Sequence, residues 1–163
     1  MVTGGSGELG RVIIRTLAHC GAGVAIHYFR QQAHARVLLE ELQALGVRGM
    51  TVQADVTHPA SVDARREAIV HTLGVPPRIL VNHAGIPSQP WTNVLEQPIT
   101  DYEGQYRSSV VHHVLMAKAL VPEMRRHHDG RCIASSTAGA MQPRPGPSAD
   151  VAGQRGMDGV LRV

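Results

Sequence analysis

The run Thr3-Gly4-Gly5-Ser6-Gly7-Glu8-Leu9-Gly10 stands two residues into the chain and leads directly into the apolar stretch that follows Arg11. Gly5, Gly7 and Gly10 satisfy G-x-G-x-x-G, whose glycines allow a tight turn, close approach of backbone to a pyrophosphate and close packing of helix on strand. A helix starting there offers free N–H groups and a positive dipole end to a phosphate. The chemistry such a turn serves is dinucleotide binding. Which dinucleotide is argued from Tyr28-Phe29-Arg30, the end of the next apolar run, where no acid stands nearby. A carboxylate there would hold the adenosine ribose and repel a 2′-phosphate, whereas the forked donors of Arg30 receive one. The sequence therefore favours NADP, with NAD possible and a solvated surface arginine as the plain alternative. His112-His113 and His127-His128 invite a metal reading. Adjacent helical residues point about 100° apart, so each pair is a poor chelate. No Cys or His completes either set at zinc spacing, and no metal is expected.

These residues need elements to hold them, and the chain alternates apolar runs with turn signals. A first helix carries Leu9, Val12, Ile13 and Leu17 at helical spacing, with Gly21 able to cap its end. Strands are expected at 24–28, 50–54, 79–82 and 131–134. A second helix over 31–45 would turn Ala33, Val37, Leu38, Leu42 and Leu45 inward. A third spans 57–73 with Pro59 in its first turn, where proline is welcome. A loop with Pro87, Pro90 and Trp91 leads to a long helix over about 99–126, bent near Pro122. Pro143, Pro145 and Pro147 stiffen a loop before a last helix from about 149. Continuous apolar strands alternating with helices argue an α/β, Rossmann-type, doubly wound parallel sheet.

The 163 residues suit one domain, 1–163, with a real core. Net charge is +3, but the cations are dispersed and do not interleave with aromatics, which are only 3% of the chain, so no nucleic-acid partner is expected. Cys20 and Cys132 are far apart, as in a reducing compartment. No signal peptide or long apolar run stands in the sequence, so a soluble, cytoplasmic protein without a membrane partner is expected.

Four ordered patterns together resemble the short-chain dehydrogenase/reductase family. Thr3-Gly4 with Gly7 and Gly10 resembles its opening glycine motif. Ala54-Asp55-Val56-Thr57 follows the third strand, where the family contacts adenine. Asn82-His83-Ala84-Gly85 resembles the Asn-Asn-Ala-Gly motif, and Gly130-Arg131 through Ser135-Ser136-Thr137-Ala138-Gly139 resembles the fifth strand and its catalytic serine. The likeness covers essentially the whole chain and points to the 3-oxoacyl reductase-like classical branch. It implies cofactor contacts from Gly4, Ser6, Gly7, Leu9, Gly10, Arg30, Asp55, Val56, Asn82, Ala84 and Gly85. The glycine spacing departs from that branch, since Glu8 stands where its middle glycine would be; Gly4, Gly7 and Gly10 fit the extended branch instead. A carboxylate aimed at pyrophosphate from ~5 Å would cost roughly 3 kcal/mol at an effective dielectric of ~20. The reading adopted places Glu8 in the first helical turn, facing solvent and complementing the dipole.

The resemblance breaks at the chemistry. The family uses Ser, Tyr and Lys, the last two as Tyr-x-x-x-Lys, with an Asn from the long helix. Ser136 matches the serine, Asp150 the tyrosine, Gln154 the lysine and Ser109 the asparagine; one residue of slack gives Ala149 and Gly153 instead of the pair. The only lysine is Lys118, and none of Tyr28, Tyr102 or Tyr106 has a lysine four residues later. Losing a positioned general acid costs about 10² to 10⁴ in rate, so ordinary carbonyl reduction should be very weak. Both ends are short of the family pattern, with a first strand of two residues and a stop inside or just after the helix that follows Pro147. A fragment or a degenerate relative is the expectation.

Three functions stay open. The first is an NADP(H)-binding oxidoreductase homologue acting weakly, if at all, on a small carbonyl or alcohol. The second is a lyase- or isomerase-type enzyme with Asp150 as base. The third is an inactive partner subunit. A homo-oligomer would form through the long helix at 99–126.

Overall fold

The computed structural model describes residues 1–86, 92–142 and 146–161, residue 161 for its backbone alone. The expected loop residues Pro87, Pro90, Trp91, Pro143 and Pro145 lie outside them. In chain order the elements are α1 (Glu8–His19), β1 (Val24–Tyr28), α2 (Gln32–Ala44), β2 (Gly49–Gln53), α3 (Pro59–Leu73), β3 (Ile79–Asn82), α4 (Ile99–Tyr106), a π-helical turn (Arg107–Val111), α5 (His112–Arg126), β4 (Arg131–Ala134), α6 (Ala138–Met141) and α7 (Ser148–Leu161).

β1 pairs in parallel with β2, and β3 with β4. Val2 joins the two pairs, bridging Ile26 on one side and Val81 on the other, both in parallel. Its N–H donates to Ala25 and its carbonyl accepts from His27, while Val81 N–H donates to Met1 and Thr3 N–H to Val81. The order across the sheet is therefore β2, β1, Val2, β3, β4. The chain winds outward from Val2 to one side and then returns to the other, which is the doubly wound pattern.

Both faces of this sheet are covered, as continuous apolar strands require. Val24 and Ile26 pack with Ile14 and Ala18 of α1 and with Ala35, Leu38 and Leu42 of α2. On the opposite face Leu80 packs with Val62 of α3 and Met116, Leu120 and Met124 of α5, while Ala25 and Val52 meet Ile69. Gly74 ends α3 in the left-handed conformation, at φ 76°.

Two helix faces differ from expectation. In α1 the fully buried line is Gly10, Ile14 and Ala18, with Leu9 65% and Val12 57% exposed. Contact between Gly10 and the glycine turn rotates the helix, and Ile13 and Leu17 only flank the core. In α2 Ala35, Leu38 and Leu42 are buried, while Ala33, Val37 and Leu45 are exposed. The long helix is also different. α5 runs through Pro122 to Arg126, and its irregularity is the π-helical turn at Arg107–Val111.

Candidate functional site

The glycine run leaves the carboxyl end of the central strand, at the point where the winding reverses. In open α/β sheets that is where ligands bind. Gly4 has φ +67°, and a Cβ on it would sit 3.0 Å from the Ala84 Cα. Gly7 N–H donates to the Gly4 carbonyl at 3.0 Å, closing the turn. A Cβ on Gly10 would lie 2.1 Å from the Gly4 carbonyl oxygen and 2.9 Å from the Gly5 Cα, so the helix approaches the turn as closely as bare backbone permits. Ser6 is buried beneath it. Glu8 begins α1 with its side chain 89% exposed and ion-paired to Arg11, directed to solvent as expected.

Two polar side chains stitch this turn to its neighbours. Thr3 Oγ1 accepts from the backbone N–H groups of His83 at 2.9 Å and Ala84 at 3.0 Å. It thereby ties the glycine run to the Asn82–Gly85 loop. His27, buried in β1, accepts the Gly4 N–H at Nδ1 (2.9 Å) and bonds the Ala54 carbonyl through Nε2 (3.1 Å). Because Nδ1 accepts, Nε2 carries the hydrogen and donates. Burial holds the His27 imidazole below its ordinary range, outweighing the Ala54 bond and the nearby Asp55 charge. Sequence reasoning missed His27. The signal was present, since a polar ring inside the apolar run Val24–Tyr28 demands partners once that strand is buried.

Around the turn, Asp55 is engaged locally. Its Oδ1 accepts from Thr57 N–H at 2.9 Å and from the Thr57 hydroxyl at 2.6 Å, and its Oδ2 lies 3.2 Å from His58 Nδ1. Partial burial opposes the charge, but these bonds win and hold the carboxyl below its ordinary range. Val56 is buried beside it. Asn82 is buried at the end of β3, with its Oδ1 lacking a hydrogen-bond partner among the described residues. Gly85 is exposed, with none of the described residues within 4 Å of where its Cβ would be. Arg30 is exposed at the end of β1 and stacks over the Phe29 ring, 5.0 Å from its centroid.

The four expected catalytic positions come together only in part. Ser109 is buried in the π-helical turn, and α7 packs against it through Gly153, where an added Cβ would lie 3.2 Å from Ser109 Oγ and 2.9 Å from the Gln105 carbonyl. Gln154, next along α7, has its Oε1 buried without a partner among the described residues. Asp150 lies in the first turn of α7, where a carboxylate complements the helix dipole. Ser136 is exposed after β4, and among the described residues no hydrogen bond joins it to Asp150 or Gln154. Nor does the fold resupply a tyrosine–lysine pair from elsewhere. The Tyr102 hydroxyl bonds Ser148 Oγ at 2.6 Å, Tyr28 is buried in β1 and Tyr106 is exposed. Lys118 sits on the far side of α5, lining a cleft with Asp63 and Glu67 of α3.

Two cavities of about 400 and 420 Å³ open elsewhere. The first lies at the amino ends of the strands, lined by Leu17, Val24, Leu73 and Ile79, and the second between α3 and α5. Both are remote from the glycine turn; the first is mostly apolar, and the second carries Arg66, Glu67, His71, Glu123 and Arg126 at its rim. Among the described residues no group of three or more His, Cys, Asp or Glu is arranged to hold a metal ion. His112 and His113 are core residues whose Nδ1 atoms bond the carbonyls of Ser108 and Ser109. No described helix is long and apolar enough to cross a membrane.

The family model for short chain dehydrogenases matches residues 1–162. This chain is a short-chain dehydrogenase family member. A curated relative, the 3-oxoacyl-(acyl-carrier-protein) reductase FabG of Staphylococcus aureus, is 30% identical across 99% of this chain and 65% of its own length. The NADPH-dependent aldehyde reductase-like protein of Arabidopsis thaliana chloroplasts is 26% identical across 100% of this chain and 64% of its own length. Among solved structures, a blue fluorescent protein from a metagenomic library in complex with NADPH superposes with a TM-score of 0.87 at 32% identity, covering 98% of this chain and 64% of the other. The chain thus spans a little under two thirds of the length of these relatives. Family membership accounts for the glycine turn and the Asn82–Gly85 loop standing side by side at the switch point.

Proposed function

We propose that this short-chain dehydrogenase homologue binds NADP(H) at the glycine turn and reduces carbonyls weakly or not at all. The observation that carries the first half is the turn itself, closed to any Cβ at Gly10 and stitched to both flanking loops by Thr3 and His27. Such a cradle of bare backbone fits a pyrophosphate. Gly4, Ser6, Gly7, Leu9 and Gly10 would hold it, with Asp55 and Val56 on the adenine side, Asn82, Ala84 and Gly85 along the riboses, and Arg30 taking the 2′-phosphate. The 2′-phosphate reading draws on the NADPH named for two of the relatives. When bound, the cofactor supplies hydride exchange with a carbonyl or alcohol carbon.

The chain's own contribution to that exchange is thin. Ser136 could hydrogen-bond a substrate oxygen, but Asp150 lacks the phenol that donates a proton and Gln154 lacks the ammonium that would lower its pKa. Replacing Asp150 by Tyr together with Gln154 by Lys is expected to raise NADPH-dependent reduction of small aldehydes or 3-oxo esters by about 10² or more. Loss of NADPH absorbance reads the rate. An unchanged rate in a double variant that still binds NADPH would count against the lost-donor account.

The orientation of Glu8 makes a second prediction. Because it points to solvent, Glu8→Gln should shift the NADPH dissociation constant less than about threefold. A carboxylate facing the pyrophosphate would instead give a gain near a hundredfold on neutralisation. Fluorescence titration of NADPH distinguishes the two.

A further inference from the structure

We propose that His27 is a positioning residue for the dinucleotide turn: a neutral imidazole that holds the Gly4 amide from one nitrogen and the Ala54 carbonyl from the other. This rests on the reading of the turn as an NADP(H) site. Gly4 sits at positive φ, and its N–H is directed at the buried ring of His27. Within the described residues its acceptor is His27 Nδ1, at 2.9 Å. The opposite nitrogen reaches the Ala54 carbonyl, one residue before Asp55. The Ala54 bond takes the ring's hydrogen on Nε2 and so leaves Nδ1 bare toward Gly4. Only the Nε2–H tautomer can do both, because an Nδ1–H would face the Gly4 N–H donor to donor. Leaving that half-buried amide without an acceptor carries a penalty of about tenfold in any equilibrium that needs the turn closed.

Two conservative variants separate this role from simple packing. His27→Asn keeps an acceptor at the position of Nδ1 while dropping the Ala54 bond, and is expected to bind NADPH within about threefold of the parent. His27→Gln places its amide nearer Nε2, abandons Gly4 and should bind at least tenfold more weakly. Hydrogen exchange of the Gly4 amide gives a readout that needs no cofactor: slow in the parent and in His27→Asn, at least tenfold faster in His27→Gln. Nitrogen NMR of the ring should find Nε2 protonated and Nδ1 bare. An Nδ1–H tautomer, or equal Gly4 exchange in both variants, overturns the proposal. Failure of the parent to bind NADPH would overturn the cofactor reading alone, since exchange and tautomer would still decide the role of His27.

Discussion

Gly10→Ala is expected to destabilise the folded chain by about 3 kcal/mol, at the upper end of the overpacking range, and to abolish measurable NADPH binding. The methyl would arrive 2.1 Å from the Gly4 carbonyl oxygen and 2.9 Å from both the Gly4 carbonyl carbon and the Gly5 Cα. All three are backbone atoms with no rotamer to give way, so either α1 shifts off the sheet or the turn opens. A shift of α1 would disturb Ile14 and Ala18, which pack directly on the strands. Opening the turn would break the Gly7 to Gly4 hydrogen bond that shapes it. Gly85→Ala supplies the control from the same site. Among the described residues nothing lies within 4 Å of its added Cβ and its φ is not positive, so stability should change by no more than about 0.5 kcal/mol. Urea unfolding of both variants, with NADPH titration alongside, checks the pair. Equal midpoints would show that the close approach of helix and turn is not what holds this site.

Acidification should weaken the fold before its carboxylates are protonated. His112 is fully buried, and desolvation, followed by the neighbouring His113, depresses its pKa to about 3 from an ordinary 6.5. Burial likewise lowers His27, His83 and His113. A histidine whose folded pKa lies below its unfolded value binds its proton more readily unfolded, so stability falls as pH falls below the unfolded pKa. For His112 alone the slope is about 1.4 kcal/mol per pH unit, or about 2 kcal/mol between pH 6.5 and pH 5. The other three imidazoles add to it. The Met1 ammonium, which donates to the Ile79 carbonyl at 2.6 Å, is pushed by burial from 8.0 to about 6. Its loss falls between pH 8 and pH 6 by the same sign. Unfolding free energies measured in urea at pH 8, 6.5 and 5 should decline steadily, and His112→Phe should flatten the lower part of that decline. A free energy constant or rising from pH 6.5 to pH 5 would refute buried neutral imidazoles.

The departures from expectation share a physical pattern. Four strand positions and the order of the main helices followed from short-range signals: apolar runs, Pro59 at a helix start and Gly21 just after a helix end, where its φ is 83°. Which side of each helix is buried did not. Val37 and Leu45 fit the inward stripe by spacing, yet the core selected Ala35, Leu38 and Leu42, because small Ala35 lets α2 lie close on β1. The π-helical turn at Arg107–Val111 left no recognisable mark in the residues. It accompanies contact with α7, where Gly153 and Gly156 meet Gln105, Ser109 and Val110 across more than forty residues of chain.

By itself the sequence determined the parallel α/β alternation, the glycine turn, the lack of any Tyr-x-x-x-Lys pair and the arginine at the end of β1. Each is a matter of residue type at short spacing, governed by local dihedral preference or by covalent chemistry. Only the tertiary structure decided that Glu8 faces solvent, that Lys118 lies against α3 rather than α7, and that Thr3 and His27 clamp the turn. Those outcomes depend on contacts between residues distant in the chain, and buried polar groups find such partners only when the strands have come together.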